Sequence, residues 1–346
     1  MTDMRIQRAI DMIGKFGHLQ SDEAEAVMDE IMSGDATPAQ IGAYLMALRM
    51  KGETPDEIVG SAKAMREKAH TVPTKYDGAD LLDTCGTGGD KSGTFNISTT
   101  VAFVCAGAGV PVAKHGNRAA TSKSGSADVL ESLGVNIGLT PEQVGGCVDE
   151  IGIGFLFARS LHPAMKHVAL PRRELAVRTI FNILGPLTNP AGAKRQLMGV
   201  FSADITDLMA NVLGQLGAVS AMVVNGYGGL DELTTTGPNK VSHFHDGRVD
   251  TYDLDPKALG FDGASISDLY GGEPDVNAGI LRGVLDGSVR GPKRDVVILN
   301  AGAALFVAGK AADIPGGIKL ADETINSGAA VGKLDALIEK SQAVAV

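Results

Sequence analysis

Tryptophan is absent from this 346-residue chain, and that absence alone excludes nothing. The scarcity of cysteine says more: Cys85, Cys105 and Cys147 are odd in number, lie far apart and form no C-x-x-C. The pattern excludes a structural zinc site and suits a reducing cytoplasm. No apolar run approaches the length needed to cross a bilayer, which argues against a membrane location. The opening residues, MTDMRIQRAIDMIGKF, alternate charged and apolar side chains at helical spacing and carry no signal-peptide core. A cationic excess is also missing. With a formal net charge of −10 the chain lacks the broad basic face that nonspecific nucleic-acid binding requires. Low-complexity sequence is missing too, so the 45 glycines, about 13% against a usual share of about 7%, point to many tight βα turns rather than disorder.

What is present fits a globular enzyme of one large domain or two, with 44% hydrophobic and 21% charged residues. Residues 1 to about 72 read as a helical domain. Ile6, Ile10 and Ile13 start an amphipathic stripe that Gly14 and Gly17 end, and a second helix follows Ser21. Thr37-Pro38-Ala39-Gln40 and Thr54-Pro55-Asp56-Glu57 each combine a capping box with proline at the first helical position, as does Thr140-Pro141-Glu142-Gln143 further on. Apolar residues surround the helix from Ile41 to Met50, which predicts burial on several sides. Either a subunit interface or an intramolecular bundle satisfies that pattern.

From residue 73 strands and helices alternate, predicting an α/β domain with a mainly parallel sheet covered by helices on both faces. Strands are expected from Leu81, at Val110–Ala113, near Val135, at Gly154–Ala158, Leu197–Phe201 and Ala221–Val224. Helices are expected at Ser98–Ala108, at Ser126–Leu133 and from about Asp275 onward. Val241–His245, Asp246-Gly247 and Val249–Leu254 read as a hairpin with a tight turn. The stretch Met165–Leu184 also reads as helical, and by rejoining the first 72 residues it would make the α/β domain (73–346) discontinuous.

Chemistry concentrates between Asp83 and Ser126, which reads DTCGTGGDKSGTFNIST, an apolar run, then KHGNRAATSKSGS. From Gly86 to Ala127 the charge balance is +3, with Lys91, Lys114, Arg118 and Lys123 against Asp90. A basic island in an acidic chain points to a bound polyanion. Gly86-Thr87-Gly88-Gly89-Asp90 follows a strand and precedes a helix, where inward N–H groups can form an anion nest. It is neither a Walker A motif nor a G-x-G-x-x-G fingerprint. Asn96-Ile97-Ser98-Thr99 opens the next helix, and a second loop, Lys114 to Ser122, follows the neighbouring strand. Two such loops suggest a ligand with two separate phosphate groups.

Asp-Glu pairs occur at six places, five of them in helical patterns that a solvated face explains. Only Asp231-Glu232 follows an apolar strand and a glycine-rich turn, and two carboxylates there would repel phosphate unless a cation lay between. His243 and His245 share a strand face with nothing nearby to complete a metal site, so a structural role is expected. His115 lies in the basic loop, where it could touch substrate. In HPAMKHVALPRREL, Arg172 reads either as a fork for a carboxylate or as a surface ion pair. There is no G-x-S-x-G, no catalytic cysteine arrangement and no carboxylate pair placed for hydrolysis.

Taken together, DTCGTGGD, TFNIST, KHGNRAATSKSGSADVLESLG and RTIFNILGPLTNPA resemble the anthranilate phosphoribosyltransferase family of the tryptophan pathway, over nearly the whole chain. Pyrimidine nucleoside phosphorylases are similar in fold, but KHGNR and NILGPLTNP favour the transferase. The resemblance implies a Mg²⁺-dependent, cytoplasmic homodimer, associating through its helical domain, that joins anthranilate to phosphoribosyl pyrophosphate (PRPP). It places the PRPP phosphates on Gly86, Gly89, Asp90, Thr94, Asn96, Ile97, Ser98 and Thr99 in the first loop. In the second it adds Lys114, His115, Gly116, Asn117, Arg118, Ala119, Ala120, Thr121 and Ser122, with Ser126 beside them. Ser98, Asp231 and Glu232 are the implied metal ligands, and Gly86, Asn117 and Arg172 the implied anthranilate contacts. No acid or base is assigned; Lys114 and His115 are the candidate catalytic residues. Two departures stand out: Lys91 replaces a small residue in the first loop, and NGYGGLDE lacks the family's acidic residue before Gly229.

Overall fold

Threonine caps followed by proline set the N-terminal architecture, as the capping boxes require. The computed structural model describes residues 5–119 and 122–344. It opens on α1 (Ile6–Gly14), α2 (Ser21–Ser33), α3 (Pro38–Lys51) and α4 (Pro55–Glu67). The Thr37 and Thr54 hydroxyls accept from the Gln40 and Glu57 N–H groups, whose side chains accept in return from the Thr37 and Thr54 N–H at 2.8 Å each. Helix α2 packs on α4 and α1 on α3. Ile41, Tyr44, Leu45 and Leu48 are fully buried, as their arrangement around α3 demands. Glu57 is buried as well: beyond its capping bond it accepts from Leu19 N at 3.1 Å and from Lys51 Nζ at 2.9 Å.

The α/β part runs β1 (Leu82–Gly86), α5 (Ile97–Gly107), β2 (Val112–Gly116), α6 (Ser126–Ser132), α7 (Pro141–Ile151) and β3 (Ile153–Phe157). Next come α8 (Ala158–Leu161), α9 (Lys166–Leu175), α10 (Phe181–Leu184), β4 (Arg195–Gly199), α11 (Thr206–Gln215) and β5 (Ser220–Asn225). The hairpin β6 (Asn239–His245) and β7 (Arg248–Leu254) precedes α12 (Pro274–Leu285), α13 (Pro292–Val307), α14 (Ile314–Asn326) and α15 (Ala329–Ala343). The seven strands form one sheet in the order β3-β2-β1-β4-β5-β6-β7, parallel from β3 to β5 and antiparallel beyond. Asp246 and Gly247 both have positive φ, matching the twist of a two-residue hairpin turn.

Alternation along the strands sends successive side chains to opposite faces. Leu197, Met222 and Val224 join α5 and α12 to α15 on one face. Met198, Ala221 and Val223 face α11 and share one apolar cluster with the N-terminal helices and with Val168 and Phe181 of α9 and α10. Helix α9 also packs directly on α2 and α3.

Three expectations need correction. Val135 is buried but lies outside any strand, because its N–H bonds to the Leu130 carbonyl and the next N–H to Ser341 Oγ, so no sheet partner is left to claim them. The 165–184 stretch is not one helix: Ala176, at φ +51°, stops α9 and turns the chain before α10. Strand β2 begins at Val112 and runs on to Gly116, since its partner β3 pairs with it over that full length. Lys114, His115 and Gly116 are therefore strand residues, held more firmly than loop residues would be. Among the described residues no helix is long and apolar enough to cross a membrane.

Glu57→Ala leaves Lys51 and the Leu19 N–H without their buried partner, and is expected to destabilise the chain by about 3–5 kcal/mol. Thermal unfolding checks this: Glu57→Gln, which keeps an acceptor, should melt between wild type and Glu57→Ala.

Candidate active site

Strand β1 lies where the sheet order reverses, with β2 on one side and β4 on the other, and at such a point loops diverge and leave a crevice. Its pairing is lopsided. With β4 the register runs from Leu82 to Gly86, but with β2 it is limited to Leu82 opposite Val112. The buried Asp83 carboxylate fills the gap, accepting from His115 N at 3.1 Å, Asn189 Nδ2 at 2.7 Å and Cys85 Sγ at 3.3 Å. Alternation along β2 then puts Lys114 and His115 on opposite faces. Lys114 Nζ donates to the Thr84 carbonyl. Burial holds its ammonium below the ordinary pKa, opposed by the charges of Asp83 and Glu232.

The first loop depends on missing Cβ atoms. Gly88 and Gly89 have φ near +67° and +79°, where only glycine sits without strain. A Cβ on Gly86 would stand 2.7 Å from Asp231 Oδ2, and one on Gly199 only 1.5 Å from the Asp231 carbonyl oxygen. The chain after β5 thus crosses directly over the end of β4, which carries Asp231 and Glu232 to the tip of β1. Lys91, the departure noted in this loop, takes a left-handed φ of +61°.

Both carboxylates meet main-chain donors. Gly88 N–H donates to Asp231 Oδ2 at 2.7 Å and Ser98 N–H, in the first turn of α5, to Glu232 Oε1 at 3.1 Å. The Ser98 hydroxyl also bonds to Glu232. Asp231 N–H donates in turn to Asp90 Oδ2 at 3.4 Å. Burial pushes Glu232 up to about 7 against the pull of Lys114. Burial, then the charges of Glu232 and Asp90, hold Asp231 well above the usual carboxylate range. A divalent cation is the species that relieves two half-buried acids side by side, so the donor set fits one. Among the described residues no group of three or more His, Cys, Asp or Glu side chains could hold a metal alone. Ligand oxygens and water have to complete the shell.

The second loop folds over the start of α6. Asp128 accepts from Ala119 N and Gly125 N at 2.9 Å each, and Ser126 Oγ donates to the Asn117 carbonyl at 3.2 Å. Arg118 turns its guanidinium to Asp128 at 2.9 Å and Glu131 at 2.7 Å, while its main-chain N–H donates to Asn117 Oδ1 at 2.8 Å. Ala120 and Thr121 lie outside the described residues. Asn96 ties the loops together, donating to the Ser124 carbonyl at 3.2 Å and accepting from Asn277 Nδ2 at 3.0 Å. Ile97 and Thr99 send their side chains into the core, and Thr94 forms a bridge to Tyr270.

Arg172, on α9, stacks over the Phe181 ring at 5.2 Å and is half-buried with no ion pair among the described residues, which disposes of the surface-pair reading. His115 and His162 face each other with Nε2 atoms 3.3 Å apart. Burial, then the neighbouring ring, lowers His115 to about 3, and burial lowers His162 to about 4. His115 is thus neutral at pH 7, a hydrogen-bonding group and not a proton carrier. His243 bonds to Ser220 Oγ and His245 to Asp250, structural contacts as expected. Sequence reasoning passed over Asp83 and Asn189, although a carboxylate inside an apolar strand was a readable signal. It also passed over Arg178, which donates to the Gly89 carbonyl and carries no signal in its own segment.

The profile of the glycosyl transferase family a/b domain matches residues 78–331, and that of the same family's helical bundle domain matches residues 7–69. Anthranilate phosphoribosyltransferase of Acetivibrio thermocellus is 53% identical over 334 residues, covering 96% of each chain; that of Desulforudis audaxviator is 54% identical over 334 residues, also 96% of each. Among solved structures, the Thermus thermophilus anthranilate phosphoribosyltransferase superposes with a TM-score of 0.92 at 45% identity, covering 96% of this chain and 99% of its own. The Saccharomyces cerevisiae enzyme in complex with PRPP and Mg superposes with a TM-score of 0.89 at 27% identity, covering 98% of both.

A carboxyl whose folded pKa is raised contributes stability that is complete below its unfolded pKa and lost as pH rises through the folded one. For Glu232 that window runs from the ordinary 4.5 up to about 7. The melting-temperature advantage of ligand-free Glu232→Gln over wild type should therefore widen by several degrees across this window. A gap that stays constant with pH contradicts the placement of Glu232.

Proposed function

The chain belongs to the glycosyl transferase family that includes the anthranilate phosphoribosyltransferases, and from that premise we propose that its two glycine-rich loops cradle the phosphates of PRPP. It transfers the phosphoribosyl group of PRPP to the amine of anthranilate, giving N-(5-phosphoribosyl)anthranilate and pyrophosphate in tryptophan biosynthesis. One observation carries the site assignment: a half-buried acid pair bonded to main-chain donors of the first loop and of α5, with Lys114 beside it.

In this reading Asp231, Glu232 and the Ser98 hydroxyl hold Mg²⁺, which supplies charge neutralisation to the diphosphate leaving group when bound. The Gly88 and Ser98 N–H groups are the donors that phosphate oxygens take over, and Lys114 adds a fixed positive charge behind them. As the bond from ribose C1 to the diphosphate oxygen breaks, a bond from C1 to the amine nitrogen forms and the nitrogen then loses a proton. An arylamine is neutral at pH 7 with a free lone pair, so no strong base is needed. Neutral His115 and the Asn117 amide can orient the amine, and the Arg172 guanidinium, with no ion pair among the described residues, suits the carboxylate. Positioning and electrostatics carry the rate.

The same reading makes residues 1–72 and the helices within 165–184 one helical domain, supported by their shared apolar cluster, and 73–346 the discontinuous phosphoribosyl-binding domain. It makes the chain a cytoplasmic homodimer through that helical domain, where Phe16 and Met50 stand exposed at 68% and 75%.

Anthranilate fluorescence should fall when the chain is mixed with PRPP and Mg²⁺, whereas a pyrimidine nucleoside with phosphate should give no turnover. Arg172→Ala should raise the anthranilate KM at least about tenfold and change kcat less; an unchanged KM removes Arg172 from the site. Asp231→Asn with Glu232→Gln should cut Mg²⁺-dependent turnover by about a hundredfold or more, and a fully active double variant refutes the metal assignment.

A further inference from the structure

Ala176 reverses the chain after α9, and two residues later Arg178 leaves the helical part and reaches over the end of the sheet. Its guanidinium lies on the Phe201 ring, 4.0 Å from the centroid, and donates through Nη2 to the Gly89 carbonyl. Its own carbonyl accepts from Arg49 on α3. Phe201 is anchored to the same loop, because its N–H donates to Thr87 Oγ1 at 3.2 Å. Arg178 is thus fixed from two sides while it grips the loop.

In a trans peptide the carbonyl and the following N–H point in opposite directions, and the structure contains no cis bond among the described residues. Drawing the Gly89 carbonyl toward Arg178 therefore turns the Asp90 N–H away from Arg178. That N–H, like the Gly89 N–H before it, has no hydrogen-bond partner among the described residues. One residue earlier, Gly88 N–H points to Asp231.

We propose that Arg178 is a positioning residue for PRPP, acting through the Gly89–Asp90 peptide: it locks the peptide so that the Asp90 N–H is presented to a phosphate oxygen. The Phe201 ring sets the plane of the guanidinium and Arg49 sets its backbone. This role rests on the reading of the first loop as a phosphate cradle. Without the clamp, glycine at positions 88 and 89 leaves the peptide free to flip, and the carbonyl can then oppose the phosphate.

The test uses the full chain and two readouts, steady-state kinetics with each substrate varied and calorimetric binding of pyrophosphate with Mg²⁺. Arg178→Ala should raise the PRPP KM and weaken pyrophosphate binding about tenfold, the loss of roughly one charge-assisted hydrogen bond, with the anthranilate KM and melting temperature little changed. Phe201→Leu keeps the charge but removes the stacking platform, and should raise the PRPP KM about threefold, a fraction of that effect. A rise in Arg178→Ala with none in Phe201→Leu would make Arg178 a direct phosphate ligand and overturn the positioning role. So would a lowered melting temperature with both KM values unchanged. If wild type itself fails to bind pyrophosphate with Mg²⁺, the cradle reading fails, whatever the variants do.

Discussion

Two half-buried carboxylates held side by side set the terms for the rest of this structure. Asp231 and Glu232 repel one another, and partial burial removes some of the solvent that would screen them. Taking like charges into a protein interior is costly unless something opposes them. Here the opposition comes from Lys114, from the Gly88 N–H and from the N–H and hydroxyl of Ser98. The fold tolerates the arrangement because it is geometrically locked: Gly86 and Gly199 have no Cβ to push the acid pair away. In the proposed reading, a polyphosphate–metal ligand would relieve that tension by satisfying the acids and the N–H donors together.

The sheet supplies the room. Opening β1 from β2 beyond Leu82 would leave backbone groups orphaned inside the protein, and the Asp83 carboxylate and the Asn189 amide meet them instead. Because the two strands part, the loops that follow them are separate, and Asn96 ties them together through the Ser124 carbonyl. The helical part is not an appendage to this. Its apolar core runs on into one face of the sheet, and Arg49 reaches from α3 to the carbonyl of Arg178. The helix carrying Arg172 packs on α2 and α3, so Arg172 is positioned by the bundle while Lys114 and the glycine loop are positioned by the sheet.

An arylamine with a free lone pair needs no strong base for this transfer. The two histidines nearest the site are buried against each other and stay neutral. Fixed dipoles and fixed charges remain, and their value depends on orientation. That is the ground for the positioning role proposed for Arg178, which touches the loop from outside.

Much of this was legible in the amino-acid order. The capping boxes at Thr37, Thr54 and Thr140 announced three helices because their hydrogen bonds are local. The β6–β7 hairpin announced itself through Asp246-Gly247, the glycine loops through composition, and the acid pair through its place after a strand. Local signals failed where a partner distant in sequence decided the outcome. Val135 lost its strand to Leu130 and Ser341, β2 was extended by β3, and Ala176 broke a helix whose apolar pattern continued past it. The site divides in the same way. Residue type and spacing determined which groups could bind phosphate and metal, since that chemistry belongs to the side chains themselves. Only the tertiary structure decided that Asp231 meets Gly88, that Asp83 wedges two strands apart and that Arg178 donates to the Gly89 carbonyl, because each contact joins segments far apart in the chain.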